Sequence, residues 1–313
     1  MHVPAELYIS LRKRVNVFAR ESKRVFDGDA DALHRTRIAS RRLRELLPVI
    51  QLDADTTRKL RRRLRKATRR LGEVRDFDVL STLLTELLRD RRHSRPALMA
   101  LQAELKQART GACEALEAKL PPRKLQKLAR RLKRIVKHVE PDVQDESRQT
   151  KRHNRASIWA LDALVVRRAA LVREAVTAAG TVYIPQALHD VRVAIKKLRY
   201  AVELQAEARE ERATSEVAVL KTSQDLLGRL HDVQVLIEHA RRLQSPPSIV
   251  DRQSTELMAL VRILERDCRQ LHARYIRGTQ KLFALAGRLE TAGPQDKPLV
   301  RWSGRGSIWR RLG

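Results

Sequence analysis

HRTRIASRRLR, residues 34–44, sets one His and five Arg into eleven positions, and HDVRVAIKKLR, residues 189–199, repeats the pattern. At about 100° per residue, the helical period, His34, Arg37, Arg41 and Arg44 fall on one side. Ala39, Leu43, Leu46, Leu47 and Ile50 fall on another. The spacing predicts a helix that packs its apolar side inward. Its cationic side is left as a stripe roughly 15 Å long, from ten steps of about 1.5 Å. His189, Arg192, Lys196 and Arg199 form the same stripe. Solvated helix faces usually alternate sign, because like charges three or four apart oppose the helix by a few tenths of a kcal/mol per pair. This sequence stacks like on like twice, which suits a stripe that meets an anion.

Outward from these stretches the chain repeats itself. His34, Arg37, Arg41, Arg42, Leu43 and Arg44 map onto His189, Arg192, Lys196, Lys197, Leu198 and Arg199 at an offset of 155. LGEVRDFDVL (71–80) maps onto LGRLHDVQVL (227–236) at an offset of 156. Two motifs in the same order predict an internal duplication, with copy one at about 5–140 and copy two at about 151–290. The helical pattern lapses over 141–150, the expected boundary, and 291–313, rich in Gly, Pro and Arg, reads as a flexible basic tail. In copy one, helices are expected near 5–26, 30–50, 54–71, 77–92 and 96–119, with a further helical pattern at 121–142. Gly72 and Gly228 are expected to end helices, Asp76 and Asp232 to cap the next ones, and Pro96 and Pro185 to begin helices. There is no strand-like alternation of any length, so the fold class expected is all-α, built of helical bundles.

A second basic run, Arg58, Arg61, Arg62, Arg65 and Arg69, precedes LGEVRD. Copy two keeps Lys221 opposite Arg65 but is otherwise less basic there. Lys127, Arg130, Arg131, Arg134 and His138 are spaced for one face of the segment between the copies. Across the 313 residues, 66 Lys and Arg against 37 Asp and Glu leave a net charge of +29. Such a charge repels itself unless a polyanion is the partner. Nucleic acid, anionic membrane and phosphate polymer are the candidates. Cys113 and Cys268 have no metal-ligand spacing and suggest no disulfide framework, which fits a reducing compartment. No apolar run is long enough to span a membrane and MHVPAELYIS has no targeting pattern, so a cytoplasmic protein without membrane insertion is expected.

HRTRIASRRLR and HDVRVAIKKLR resemble the HxxRxxxRRxR helix of CHAD domains, the conserved histidine α-helical domains. LGEVRDFDVL and LGRLHDVQVL resemble the LGxxRDxDVL segment that follows it in that family. The resemblance spans about 5–290. It implies an all-helical fold of two four-helix bundles related by a pseudo-twofold, with basic residues of both halves lining a central cavity or groove. It also implies binding of inorganic polyphosphate and association with polyphosphate granules. Many members are fused to a triphosphate-tunnel phosphohydrolase domain; no ExExK motif occurs here, so the chain reads as a stand-alone member. The family's binding positions fall on His34, Arg37, Arg41, Arg42 and Arg44, then on His189, Arg192, Lys196, Lys197 and Arg199, with Arg75 and Lys221 following. Two positions depart from the pattern, His231 standing for the usual Arg and Gln234 for the usual Asp. Arg65 and His231 join the candidates because a basic side chain recurs at each of their matched positions.

The residues themselves point the same way. Polyphosphate is a chain of charge without bases, and it calls for closely spaced guanidinium and ammonium groups. Single-stranded nucleic acid is held on aromatic platforms, and aromatics are nearly absent from the stripes; Tyr200 is the nearest. Non-catalytic polyphosphate binding without a cofactor or metal is the first reading. Nucleic-acid binding is the alternative, since phosphate contacts alone give affinity. A phosphoanhydride hydrolase ranks third. Its Mg²⁺ would need clustered carboxylates, and the acidic residues here are scattered, with no GxxxxGK[ST] loop.

Overall fold

The structure is a computed structural model that describes residues 3–50, 52–90, 92–140, 148–211, 214–244 and 252–292. Most of the expected boundary at 141–150 and nearly all of the basic tail lie outside these residues. Among them the chain forms nine helices and no strand: α1 (Ala5–Glu21), α2 (Ala30–Leu46), α3 (Ala54–Leu88), α4 (Arg95–Lys119), α5 (Pro122–His138), α6 (Arg148–Ala179), α7 (Pro185–Ala208), α8 (Thr214–Arg242) and α9 (Arg252–Thr291). The fold is all-α, as the periodicity indicates.

Local chemistry sets the helix ends. The Asp29 carboxylate accepts from the amides of Asp31 and Ala32 at the start of α2, and Asp53 accepts from Thr56 at the start of α3. Each satisfies donors that the first turn leaves without partners. Ser94 caps α4 with Pro96 in its first turn, and Pro185 opens α7, where a missing N–H costs nothing. Gly180, at φ +57°, ends α6. Its left-handed backbone is open to glycine without the Cβ penalty.

The helices close into two bundles. α1, α2, the first half of α3 and α5 bury Leu7, Leu11, Phe18, Leu43, Leu46, Leu60, Leu64 and Leu125. α6, α7, the first half of α8 and the end of α9 bury Val172, Val191, Ile195, Leu198, Leu220, Leu227 and Leu282. A third apolar cluster joins them. The second half of α3 and the start of α4 meet the second half of α8 and the start of α9 through Leu84, Leu98, Leu101, Leu236, Leu257 and Leu264. Polar contacts fasten its edges, with Ser94 donating to Glu256 at 2.9 Å and His239 paired with Glu104 at 2.9 Å. Elsewhere the bundles are tied by Arg14 to Glu207 at 2.8 Å and Arg168 to Glu45 at 3.3 Å.

One expectation is corrected. α3 runs unbroken through Gly72, and α8 through Gly228, so neither glycine ends a helix, and Asp76 and Asp232 are mid-helix residues rather than caps. The reason is side-chain packing. A Cβ on Gly72 would come within 3.2 Å of Arg37 Nε, and one on Gly228 within 3.6 Å of Arg192 Nε. Each glycine is a notch over which an arginine of the neighbouring helix lies.

Candidate functional site

α2 packs on α7 and α3 on α8, which brings the two stripes face to face across one hollow. Its central part, of about 510 Å³, is lined by His34, Arg37, Arg41 and Arg75 from the first half and by His189, Arg192, Lys196 and His231 from the second. Asp76, Asp232, Tyr200 and Gln224 supply its other polar groups, and Val79, Leu80, Val193 and Val235 its apolar wall. A trough of about 800 Å³ continues from it, sharing Arg37, Arg41, Asp76, Lys196 and Tyr200, and adds Arg44, Arg62, Arg65, Lys66, Arg69 and Lys197. Nine cationic side chains line this trough against the carboxylates of Glu45, Glu73 and Asp76, so its charge is far from balanced. On the other side His189 and His231 also border a mixed pocket of about 670 Å³ that contains Tyr183, Gln234, Glu238 and Glu265.

The crowding of charge is visible in the titrating groups. Burial, and then Arg41, Arg192 and Arg37, push the Lys196 ammonium down to about 7. Burial and the neighbouring Arg41 lower the Arg37 guanidinium to about 10, opposed in part by Asp76, which stands 3.6 Å from it. Burial lowers His34 and His189, with nearby arginines adding to the effect. His231 falls to about 4, by burial and then Arg192 and His189, and its ring centroid lies 5.0 Å from that of His189. Asp232 moves the other way, up to about 6, because burial outweighs the attraction of Arg192. All these cations are pushed toward losing a proton, first by burial and then by the repulsion of neighbouring cations. The buried Arg37 Nε and His34 Nδ1 have no hydrogen-bond partner among the described residues.

Eleven of the fourteen candidates read from the sequence therefore line the hollow or its trough. The other three stand elsewhere. Arg42 turns to the opposite flank of α2 and donates to Glu203 at 3.0 Å. Arg199 pairs with the same carboxylate at 3.3 Å and lies over the Tyr200 ring. Lys221 is exposed near the start of α8. Arg199, read as a stripe residue with His189, Arg192 and Lys196, instead joins Arg42 on Glu203, at the joint between the bundles. Lys66 was missed, although its spacing of four from Arg62 and three from Arg69 carries the signal. Gln224 had no signal at all.

The departure at Gln234 changes a partner rather than leaving a gap. Asp78 is buried and accepts from Arg109 Nε of α4 at 2.7 Å. Its counterpart Gln234 donates to the Tyr183 hydroxyl at 2.6 Å. Among the described residues no group of three or more His, Cys, Asp or Glu side chains is placed to hold a metal ion, and no helix is long and apolar enough to cross a membrane.

Comparison with known proteins follows this geometry. PptA from Streptomyces chartreusis superposes with a TM-score of 0.64 at 17% identity, covering 91% of this chain and 100% of that one. The crystal structure of the CHAD domain from the plant Ricinus communis superposes with a TM-score of 0.58 at 19% identity, covering 92% of each chain. At those identities the likeness is one of fold. A search of curated proteins gave no match. The sequence itself matches the CHAD domain family over residues 9–241, most of the chain, and the protein belongs to that family.

Proposed function

We propose that this protein binds inorganic polyphosphate in the hollow between its two bundles, without turning it over, and works in the cytoplasm at polyphosphate granules. The observation that carries the reading is the convergence of His34, Arg37 and Arg41 with His189, Arg192 and Lys196 on one under-compensated cationic cavity. A polymer of charge would restore the missing balance. Guanidinium forks engage phosphate oxygens in pairs, and release of the polymer's counterions adds affinity that falls steeply with salt. Besides its three imidazoles the cavity offers one aromatic ring, Tyr200, and no row of Phe, Tyr or Trp on which bases would stack. We take the matched halves, with arginines lying over paired glycines, as products of an internal duplication.

The test is a competition titration at moderate salt. Long polyphosphate should displace duplex DNA at equal phosphate concentration; displacement in the opposite sense would move the function to nucleic acid. For the absence of chemistry, polyphosphate is incubated with the protein and Mg²⁺ or Mn²⁺. Orthophosphate release that disappears in Asp76→Asn or Asp232→Asn would make the protein a hydrolase.

A further inference from the structure

A second basic cleft, of about 840 Å³, lies on the outer side of the first bundle, between α3 and α5. Arg63, Lys127, Arg131, Arg134, Lys137 and His138 line it. α5 carries no acidic residue at all. The cleft's one carboxylate, Asp53, is engaged in capping α3. None of Arg63, Lys127, Arg131, Arg134 and Lys137 forms an ion pair with another described residue. The basic residues are therefore not balanced locally, and a helix of 17 residues with this face repels itself.

The cleft is next to the central trough across a single helix. On α3, Arg62 lines the trough and Arg63 lines the cleft, and both are exposed. Their Cα atoms are about 3.8 Å apart along the chain, so the exposed arginines of α3 form a cationic ridge between two cationic channels. At the matching end of α9, where Leu282, Leu285 and Ala286 are buried as Leu125, Leu128 and Ala129 are in α5, Ala284 and Thr291 stand at the positions of Lys127 and Arg134, and of these three cleft positions Arg288 alone, matching Arg131, keeps its charge. The full extension is built on one side of the molecule.

Resting on the polyphosphate reading above, we infer that the polymer track continues from the central trough over the ridge of α3 into the α3/α5 cleft. A long chain is held along its whole path, while a short oligophosphate occupies the central hollow alone. The track makes this protein selective for chain length.

The experiment compares tripolyphosphate with polyphosphate of many tens of units. It uses the full chain, Lys127→Glu/Arg131→Glu/Arg134→Glu, and a control with the same change in net charge, Arg274→Glu/Arg277→Glu/Lys281→Glu, exposed on α9. The outer variant should bind tripolyphosphate as the unaltered protein does. It should lose roughly tenfold or more in affinity for the long polymer, with a salt dependence shallower by about two contacts, and the control should lose neither. Equal long-chain affinity in the outer variant and the unaltered protein overturns the track and leaves central binding standing. A loss equal for both lengths, or matched by the control, also overturns it. Failure of the unaltered protein to bind either length removes the polyphosphate reading itself.

Discussion

The first and second halves of the molecule place the same motif in the same way and then differ around it. In both, an arginine of the HxxR helix lies over a glycine in the middle of the next helix, Arg37 over Gly72 and Arg192 over Gly228. In both, a histidine stands one turn earlier on the stripe. The surroundings diverge. α3 lines the trough with Arg62, Arg65, Lys66 and Arg69, whereas α8 has Ala218, Lys221 and Asp225 at the positions matching Arg62, Arg65 and Arg69. The first half breaks at Leu120–Pro121–Pro122 into α4 and α5, while the second runs through as one 40-residue helix, α9. His34 has Arg75 as a charged neighbour and His189 has His231. The two halves agree at the centre of the shared cavity, where His34, Arg37 and Arg41 meet His189, Arg192 and Lys196, and differ toward the trough, where the first half supplies most of the cations.

The largest effect expected follows from that shared cavity. Replacing Arg37, Arg41, Arg192 and Lys196 together by Glu should lower polyphosphate affinity by at least about a hundredfold, with helix content by circular dichroism unchanged. The pairs taken singly sharpen the comparison. Arg37→Glu/Arg41→Glu and Arg192→Glu/Lys196→Glu should each lose most of the binding, and a loss confined to one pair would mean that the halves do not grip one ligand.

Next comes pH. Burial and the neighbouring arginines push the Lys196 ammonium down to about 7, and a bound polyanion favours its charged form, so its pKa in the complex is higher. Between the two values binding takes up a proton, and affinity falls as pH rises above about 7, by at most about tenfold per unit from this one group. Lys196→Arg, charged throughout, should flatten the profile measured by titration calorimetry in buffers of different ionisation enthalpy.

Smaller effects separate stripe from joint. Arg41→Ala should weaken binding and leave stability nearly unchanged. Arg42→Ala should do the reverse, costing about 1 kcal/mol in denaturant unfolding, because its ion pair with Glu203 is partly exposed. Smallest of all, Gly228→Ala should stabilise by about 0.5–1 kcal/mol, since alanine is the better helix former and its Cβ meets Arg192 at ordinary contact distance. Gly72→Ala should gain less, because Arg37 must yield a few tenths of an ångström, and that variant should bind polyphosphate more weakly.

The glycines also show where local reading stops. Gly followed within four residues by Asp has the form of a helix end and a new cap, and that form misled. The competing fact, an arginine from another helix needing room, is not local. Sequence alone determined the all-helical class, the repeat, the basic faces of α2 and α7 and most of the side chains on them, because helical periodicity and charge are properties of neighbours along the chain. Tertiary structure alone decided that the stripes of α2 and α7 oppose each other, that Arg42 turns toward Glu203 instead, and that a third apolar cluster joins the bundles. Those outcomes depend on the angles at which helices pack, which are set by contacts between residues more than a hundred positions apart.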